Sequence, residues 1–134
     1  MKRLIAVMLA VAILSLSLLM TACSGYSSSY KAVGFVHSNT SDSAFMSFYQ
    51  FEGTMVFKLK VKNADKMKLV YNAKLEEGDM KVYYDFNGTK TEWFSLKSSD
   101  ESASSEGVEV SGTVYIIVET NGECLNGNLD FKLE

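Results

Sequence analysis

A set of lysines is the first group of residues that could bind a ligand. Seven lysines lie between positions 58 and 81: Lys58, Lys60, Lys62, Lys66, Lys68, Lys74 and Lys81. If the strands on either side of 63–65 form a hairpin, Lys60 and Lys68 lie close together on one surface. That surface, with Lys58 beside it, could bind an anionic cell-surface polymer or a lipid headgroup. The alternative is a solvated sheet face on which lysines block edge-to-edge pairing.

An aromatic set is the second group, and it suggests a glycan ligand. It consists of Tyr83, Trp93, Phe94 and Tyr115. Flat aromatic rings on a sheet face can stack on the apolar faces of sugars. Trp93 and Phe94 are adjacent and cannot both face inward in a regular strand, so one should be exposed or lie under the acidic loop that follows. Tyr83 and Trp93 are therefore candidate glycan-binding residues, with packing in the core as the alternative.

Acidic residues form the third group, and they could offer oxygen ligands to a calcium ion. They are Glu76, Glu77, Asp79, Asp100, Glu101, Glu106 and Glu109. The Asp-x-Asp-x-Asp-Gly spacing of a calcium loop is absent, which favours a solvated Ser-rich loop over 98–107. The sequence also contains no HExxH, Walker A, GxSxG, GxGxxG or CxxC motif. We therefore predict a non-catalytic protein without a metal or cofactor.

The N-terminus has the layout of a secretory signal peptide. Lys2 and Arg3 precede an apolar run, Leu4–Met20, that is interrupted only by two serines. The run is also close to the minimum length of a membrane span, so its length alone leaves a retained helix open. The residues that follow, Leu19-Met20-Thr21-Ala22-Cys23, resemble the lipobox of bacterial lipoproteins.

This resemblance implies a defined modification. The thiol of Cys23 would receive a diacylglyceryl group, the signal peptide 1–22 would be removed, and the new amino terminus could then be acylated. Two or more acyl chains hold a protein stably on a bilayer, whereas one chain holds it only marginally. The protein would lie in the bacterial cell envelope, on the outer face of the plasma membrane. In a diderm host, Ser24 would direct it to the outer membrane.

Removal of the signal peptide would change both the net charge and the number of cysteine thiols of the chain. Without Lys2 and Arg3, the 13 basic residues become 11 against 16 acidic residues, a net charge of −5. This excludes a nucleic-acid-binding surface of the usual basic kind, and it leaves membrane attachment to the lipid. With Cys23 lipidated, Cys124 has no intramolecular partner, and we expect it to be a small buried apolar residue.

Period-two alternation dominates the mature chain and predicts an all-β fold. Residues 23–30 are predicted to be the lipidated N-terminus and a flexible tether, and residues 31–134 a β-sandwich domain. About eight short strands are expected, drawn from nine segments with a strand pattern: Ala32–His37, Ala44–Phe51, Met55–Val61, Met67–Leu75, Met80–Phe86, Thr89–Lys97, Val108–Ser111, Thr113–Glu119 and Leu129–Leu133. Turns are expected at Asn87-Gly88, as a two-residue type I′ hairpin turn, and at Asn121-Gly122 and Asn126-Gly127.

The expected architecture is an antiparallel β-sandwich of the jelly-roll or immunoglobulin-like type, with a closed barrel as the rival. The order of strands from Phe51 to Leu133, with Gly112 shortly before Val114-Tyr115, loosely resembles the jelly-roll-like modules of secreted peptidases.

The function predicted is that of a membrane-anchored extracytoplasmic lipoprotein, a non-catalytic binding or envelope-structural module. The alternative is an accessory protein that binds a glycan or an anionic polymer at the cell surface. Its partners would be the membrane, through Cys23, and an envelope protein or glycan.

Overall fold

The structure is a computed structural model that describes residues 25–62, 66–104 and 106–134. The predicted signal peptide, Cys23 and the turn expected at 63–65 lie outside these residues. Ten strands are present: β1 (Ser29–Val33), β2 (Val36–Asn39), β3 (Ser43–Lys60), β4 (Met67–Glu77), β5 (Asp79–Asp85), β6 (Thr91–Lys97), β7 (Asp100–Ala103), β8 (Val108–Val110), β9 (Thr113–Thr120) and β10 (Cys124–Leu133). Across the described ranges, no helix combines the length and apolarity needed to cross a bilayer.

The strands form one antiparallel sheet in the order β6-β5-β9-β3-β10-β4-β7. Strand β3 belongs to both halves of this sheet, because its first part pairs with β10 and its last part, Thr54–Lys60, pairs with β9. β1 and β2 pair with β3, and β8 pairs with β4. The two halves face each other across the core and nearly close where the rings of Tyr71 and Phe94 stack at 3.7 Å. The predicted all-β sandwich is confirmed.

The core follows from the predicted alternation. Along β9, Val114, Ile116 and Val118 point into the core and are fully buried. Ile117 points to the opposite face, yet only 2% of it is exposed. An unbroken apolar run such as 114–118 is typical of a central strand covered on both sides, and β9 lies between β5 and β3.

The Asn121-Gly122 turn is confirmed between β9 and β10, but the predicted turn at Asn126-Gly127 is wrong. Both residues lie inside β10, where Asn126 has a positive φ of 51°. This local change in the backbone allows both Cys124 and Gly127 to be buried although they are three residues apart. A Cβ atom on Gly127 would lie 2.3 Å from Cζ of Phe48, so the glycine makes room for that ring.

The predicted hairpin of β5 and β6 is confirmed, but its type I′ turn is not. Tyr84 pairs with Thr91, which leaves a longer loop over 85–90. Oδ1 of Asp85 accepts hydrogen bonds from the backbone N–H groups of Asn87 (3.2 Å) and Gly88 (2.8 Å). This Asx-type arrangement organises the loop through a side chain that lies outside the Asn-Gly pair.

Two segments predicted to be irregular contain strand structure. The Ser-rich loop over 98–107 includes β7, whose pairing with β4 supplies hydrogen bonds to what would otherwise be an open edge. The tether expected over 23–30 is docked on the domain from Tyr26 onward, and β1 already begins at Ser29. The single strand expected over Ala32–His37 is divided into β1 and β2 at Gly34, which has a φ of +61°.

Candidate functional site

The structure does not bring the predicted lysines together. Strand β10 lies between β3 and β4, so Lys60 and Lys68 are not on paired strands. Lys60 stands opposite Thr113 of β9, while Lys68 stands opposite Glu109 of β8. The predicted Lys60–Lys68 surface is therefore wrong, because Lys60 lies on the part of β3 that pairs with β9, whereas Lys68 lies on β4 in the other half of the sheet. Lys58 and Lys60 remain as exposed neighbours on one face of β3.

Trp93 is packed against the core rather than presented to a ligand. The pairs Val82–Phe94 and Tyr83–Glu92 leave Trp93 as an extra residue in β6, a β-bulge. Both aromatic side chains consequently pack on Phe131, at 6.0 Å from Trp93 and 6.4 Å from Phe94. Neither side chain is exposed, so the expectation that one of them would be exposed is wrong, because it assumed a regular strand.

Tyr83 lies on the outer face of β5, away from Trp93. The Nζ atom of Lys90 is 4.4 Å from the centre of the Tyr83 ring and 2.8 Å from Oε1 of Glu119. Tyr83 borders a depression of about 270 Å³ that it shares with Lys81 and Glu119. Its ring is thus already covered in part by a cation, and it does not form one surface with Trp93.

A larger groove of about 420 Å³ lies on the outer face of β3, β10, β4 and β7. The antiparallel register arranges its residues in two rows across the four strands. One row is Phe45, Asp130, Asn72 and Ala103, and the other is Ser47, Asn128, Lys74 and Glu101. We call this surface the outer groove. It combines one half-buried aromatic ring with amides and charged groups on one face of the sheet.

This set of side chains suits a ligand with many hydroxyl groups. The amides of Asn72 and Asn128 can each donate and accept hydrogen bonds, and the carboxylates of Glu101 and Asp130 can accept them. Phe45 offers an apolar surface at one side. With one lysine and two carboxylates among its lining residues, the groove has a formal charge of −1 and does not favour an anionic polymer.

Sequence reasoning missed the outer groove because its residues come from four strands that are distant in the chain. Phe45 and Asp130 are separated by 85 positions, yet they are directly opposite in the register of β3 and β10. The local signal available was outward alternation of polar residues in β4 and β10, which any solvated sheet face also shows. Only the strand order distinguishes the groove from such a face.

Cys124 and the acidic residues are the remaining groups that could carry chemistry. Cys124 is fully buried, as predicted, and burial raises the pKa of its thiol. Its Sγ donates a hydrogen bond to the carbonyl oxygen of Asp79 at 3.4 Å. Among the side chains the structure describes, no group of three or more His, Cys, Asp or Glu residues is placed to hold a metal ion.

No protein-family model and no curated protein sequence matches this chain. Several solved structures share part of its shape. TmCBM61 in complex with β-1,4-galactotriose is 13% identical with a TM-score of 0.44, over 81% of this chain and 85% of the other. A cupin-2 domain protein from Shewanella frigidimarina is 13% identical with a TM-score of 0.32, over 79% and 80% of the two chains.

A GH26-CBM35 β-(1,4)-mannanase from Podospora anserina is 12% identical with a TM-score of 0.39. The match covers 80% of this chain and 28% of that enzyme. With identities of 12–13% and TM-scores below 0.5, these similarities carry no information about a ligand or an activity.

Proposed function

We propose that this protein is a lipid-anchored, non-catalytic binding module of the bacterial envelope whose outer groove binds a neutral glycan chain. The outer groove is the single observation that supports a glycan ligand. It places an aromatic ring, two amides and two carboxylates on one open face. The lipobox resemblance at Cys23 supports the anchor and the envelope location.

The shape of the groove supports a chain-like ligand held from one side. Successive strands are about 4.8 Å apart, so the row from Phe45 to Ala103 extends over roughly 14 Å. That length fits two to three sugar rings laid across the strands. Tyr49, 56% exposed, lies on the same face of β3 and adds a second aromatic ring beyond the groove. An open face of this kind binds a polymer without enclosing a bond for reaction.

Glycan binding can be tested on the soluble domain with Cys23→Ser. The domain is applied to an array of neutral and anionic bacterial glycans, and the affinity for the best ligand is measured by calorimetry. Phe45→Ala and Asn72→Ala should each weaken binding by about 5- to 10-fold, since each removes a contact of about 1 kcal/mol. Tyr83→Ala, on the opposite outer face, is the matched control and should bind like the parent. Unchanged binding by both groove variants would contradict the site.

The lipid anchor is tested by metabolic labelling of the full chain with an alkyne fatty acid in a bacterial host. Label should enter the parent and Cys124→Ser, but not Cys23→Ser. Globomycin should cause the unprocessed, larger form to accumulate. Labelling that persists in Cys23→Ser would reject the assignment of the anchor to this residue.

A structural role through a protein partner is the second candidate function. One observation favours it: Val33 (54% exposed), Val36 (62%) and Tyr49 form an exposed apolar group where β1 and β2 meet β3. A photo-crosslinking residue at Val36 should then join the protein to one defined envelope protein in cells. The same residue at Lys132 is the control. Equal, diffuse crosslinking at both positions would contradict a structural role through a protein partner.

A further inference from the structure

We propose that the domain rests on the phospholipid headgroups through one fixed face, made of the outer side of β3, β9 and β5 together with the 85–90 loop. We call this the basal face. The inference rests on the proposed lipidation of Cys23 and adds an orientation to it.

Tyr26 is held on the basal face by a buried carboxylate. Its hydroxyl donates a hydrogen bond of 2.5 Å to Oδ2 of Asp85, and its ring packs on Tyr115 with centroids 5.4 Å apart. Asp85 is only 6% exposed, and its other oxygen is occupied by the backbone of the 85–90 loop. Because Asp85 and Tyr115 are paired on neighbouring strands β5 and β9, Tyr26 lies over the sheet.

The chain remains attached immediately after Tyr26. The backbone N–H of Val56 donates a hydrogen bond of 2.9 Å to Oγ of Ser28, and Ser29 then begins β1 opposite Thr54. Only Ser24 and Gly25 lie between Cys23 and Tyr26, so the two Cα atoms are three residue steps apart. Three residues span at most about 11 Å, even when fully extended. The acyl chains would therefore enter the bilayer within that distance of Tyr26, which is too short for a domain of this size to turn its other faces to the membrane.

The charge of the basal face suits anionic headgroups, although the mature chain as a whole is acidic. Lys58 and Lys60 point outward from β3, and Lys58 stands opposite Tyr115. Neither belongs to an ion pair among the described residues, whereas Lys81 and Lys90 are paired with Glu92 and Glu119. The two lysines thus provide positive charge beside the anchor, where an anionic leaflet attracts it.

This orientation places the outer groove on the side away from the membrane. The groove lies on the outer face of β3, β10, β4 and β7, and the basal face belongs to the other half of the sheet. The outer faces of two packed sheets point in opposite directions. The groove would therefore be presented to the polymers outside the bilayer.

The orientation is tested with the full lipidated chain in vesicles of phosphatidylethanolamine and phosphatidylglycerol. Thr89→Cys in the 85–90 loop and Ala103→Cys in the outer groove each carry a fluorophore, since both positions are exposed and Cys124 is buried. Nitroxide-labelled headgroups then quench the fluorophore. Quenching at position 89 should be at least 3-fold stronger than at position 103. In the Tyr26→Ala background, and more weakly in Tyr26→Phe, that ratio should fall towards one.

The outcomes separate the orientation from the anchor. Protein that binds the vesicles but is quenched equally at both positions overturns the orientation alone. A ratio that is unchanged by Tyr26→Ala, in a variant whose circular dichroism matches the parent, overturns the role of Tyr26. Protein that is not lipidated and does not bind vesicles overturns both the anchor and the orientation.

Discussion

The hydroxyl of Tyr26 donates a hydrogen bond to Oδ2 of Asp85, which joins two residues 59 positions apart. The same carboxylate accepts two backbone hydrogen bonds through Oδ1, so both of its oxygens are occupied although it is almost completely buried. A buried charge is tolerated only with such partners. Asp85 therefore connects the N-terminal segment at Tyr26 with the β5–β6 loop.

Tyr26→Phe should destabilise the soluble domain by about 1–3 kcal/mol, because it leaves a buried carboxylate oxygen without its donor. Urea unfolding followed by tryptophan fluorescence measures the change. Tyr49→Phe is the matched control, since Tyr49 is 56% exposed, and its effect should be within about 0.5 kcal/mol. An effect of Tyr26→Phe no larger than that of the control would show that the hydrogen bond does not hold the segment.

Tyr26 should also make stability depend on pH in the alkaline range. Burial raises its pKa from 10.0 to about 12, and the hydrogen bond and negative charge of Asp85 act in the same direction. Between these values the unfolded chain releases the proton and the folded chain keeps it, so the free energy of unfolding falls as pH rises. Below pH 10 this contribution is fully present.

Urea midpoints measured from pH 9 to 12 test this dependence. The midpoint of the parent should fall as pH rises from 10 to 12, and that of Tyr26→Phe should fall less steeply. A smaller decline should remain in the variant, since burial also raises the pKa of Tyr71. Identical slopes for the parent and the variant would mean that Tyr26 ionises normally.

Gly127→Ala should destabilise the domain by about 1–3 kcal/mol, because the new methyl group overlaps the ring of Phe48. Phe48→Leu provides the space that the methyl group needs. In a double-mutant cycle, Gly127→Ala should therefore cost less in the Phe48→Leu background than in the parent. Additive effects, measured by urea unfolding, would show that the glycine is required for another reason.

The features that could be predicted from sequence are those determined by neighbouring residues. The alternation of Phe57 and Leu59 with Lys58 and Lys60 correctly predicted the inward and outward faces of β3. The features that could not be predicted depend on contacts with distant parts of the chain. Asn126-Gly127 is a usual turn pair, but its place between β3 and β4 keeps it inside a strand. The residues next to Trp93 in the sequence do not predict the β-bulge that turns its side chain inward.

The candidate site was less predictable than the strands for the same reason. The sequence singled out conspicuous residue types, such as Trp93 and the lysines, whereas the outer groove is made of ordinary ones. Asn72 and Asp130 acquire a possible role only because β4 and β10 are neighbours, 58 positions apart along the chain. Pairing over such separations leaves no local pattern in the sequence.

Cys124 should be unreactive in the folded domain. It is fully buried, and its raised thiol pKa further reduces the thiolate fraction at pH 8. In Cys23→Ser protein, 5,5′-dithiobis(2-nitrobenzoate) should react at least ~10²-fold more slowly in buffer than in 6 M urea. An added exposed thiol, Ala103→Cys, is the control and should react at once both in buffer and in 6 M urea. Rapid reaction of Cys124 in buffer would indicate that β10 opens readily.

The position of β10 in the sheet has a consequence for folding if the chain is exported as proposed above. β10 pairs on one side with β3 and on the other with β4, so the middle of this half of the sheet is the last strand of the chain. In the exported lipoprotein proposed above, β3 and β4 would emerge from a translocation channel before β10, with only a gap between them. In that case this half of the sheet would complete only after residues 124–133 have crossed, because β10 supplies the pairing between β3 and β4.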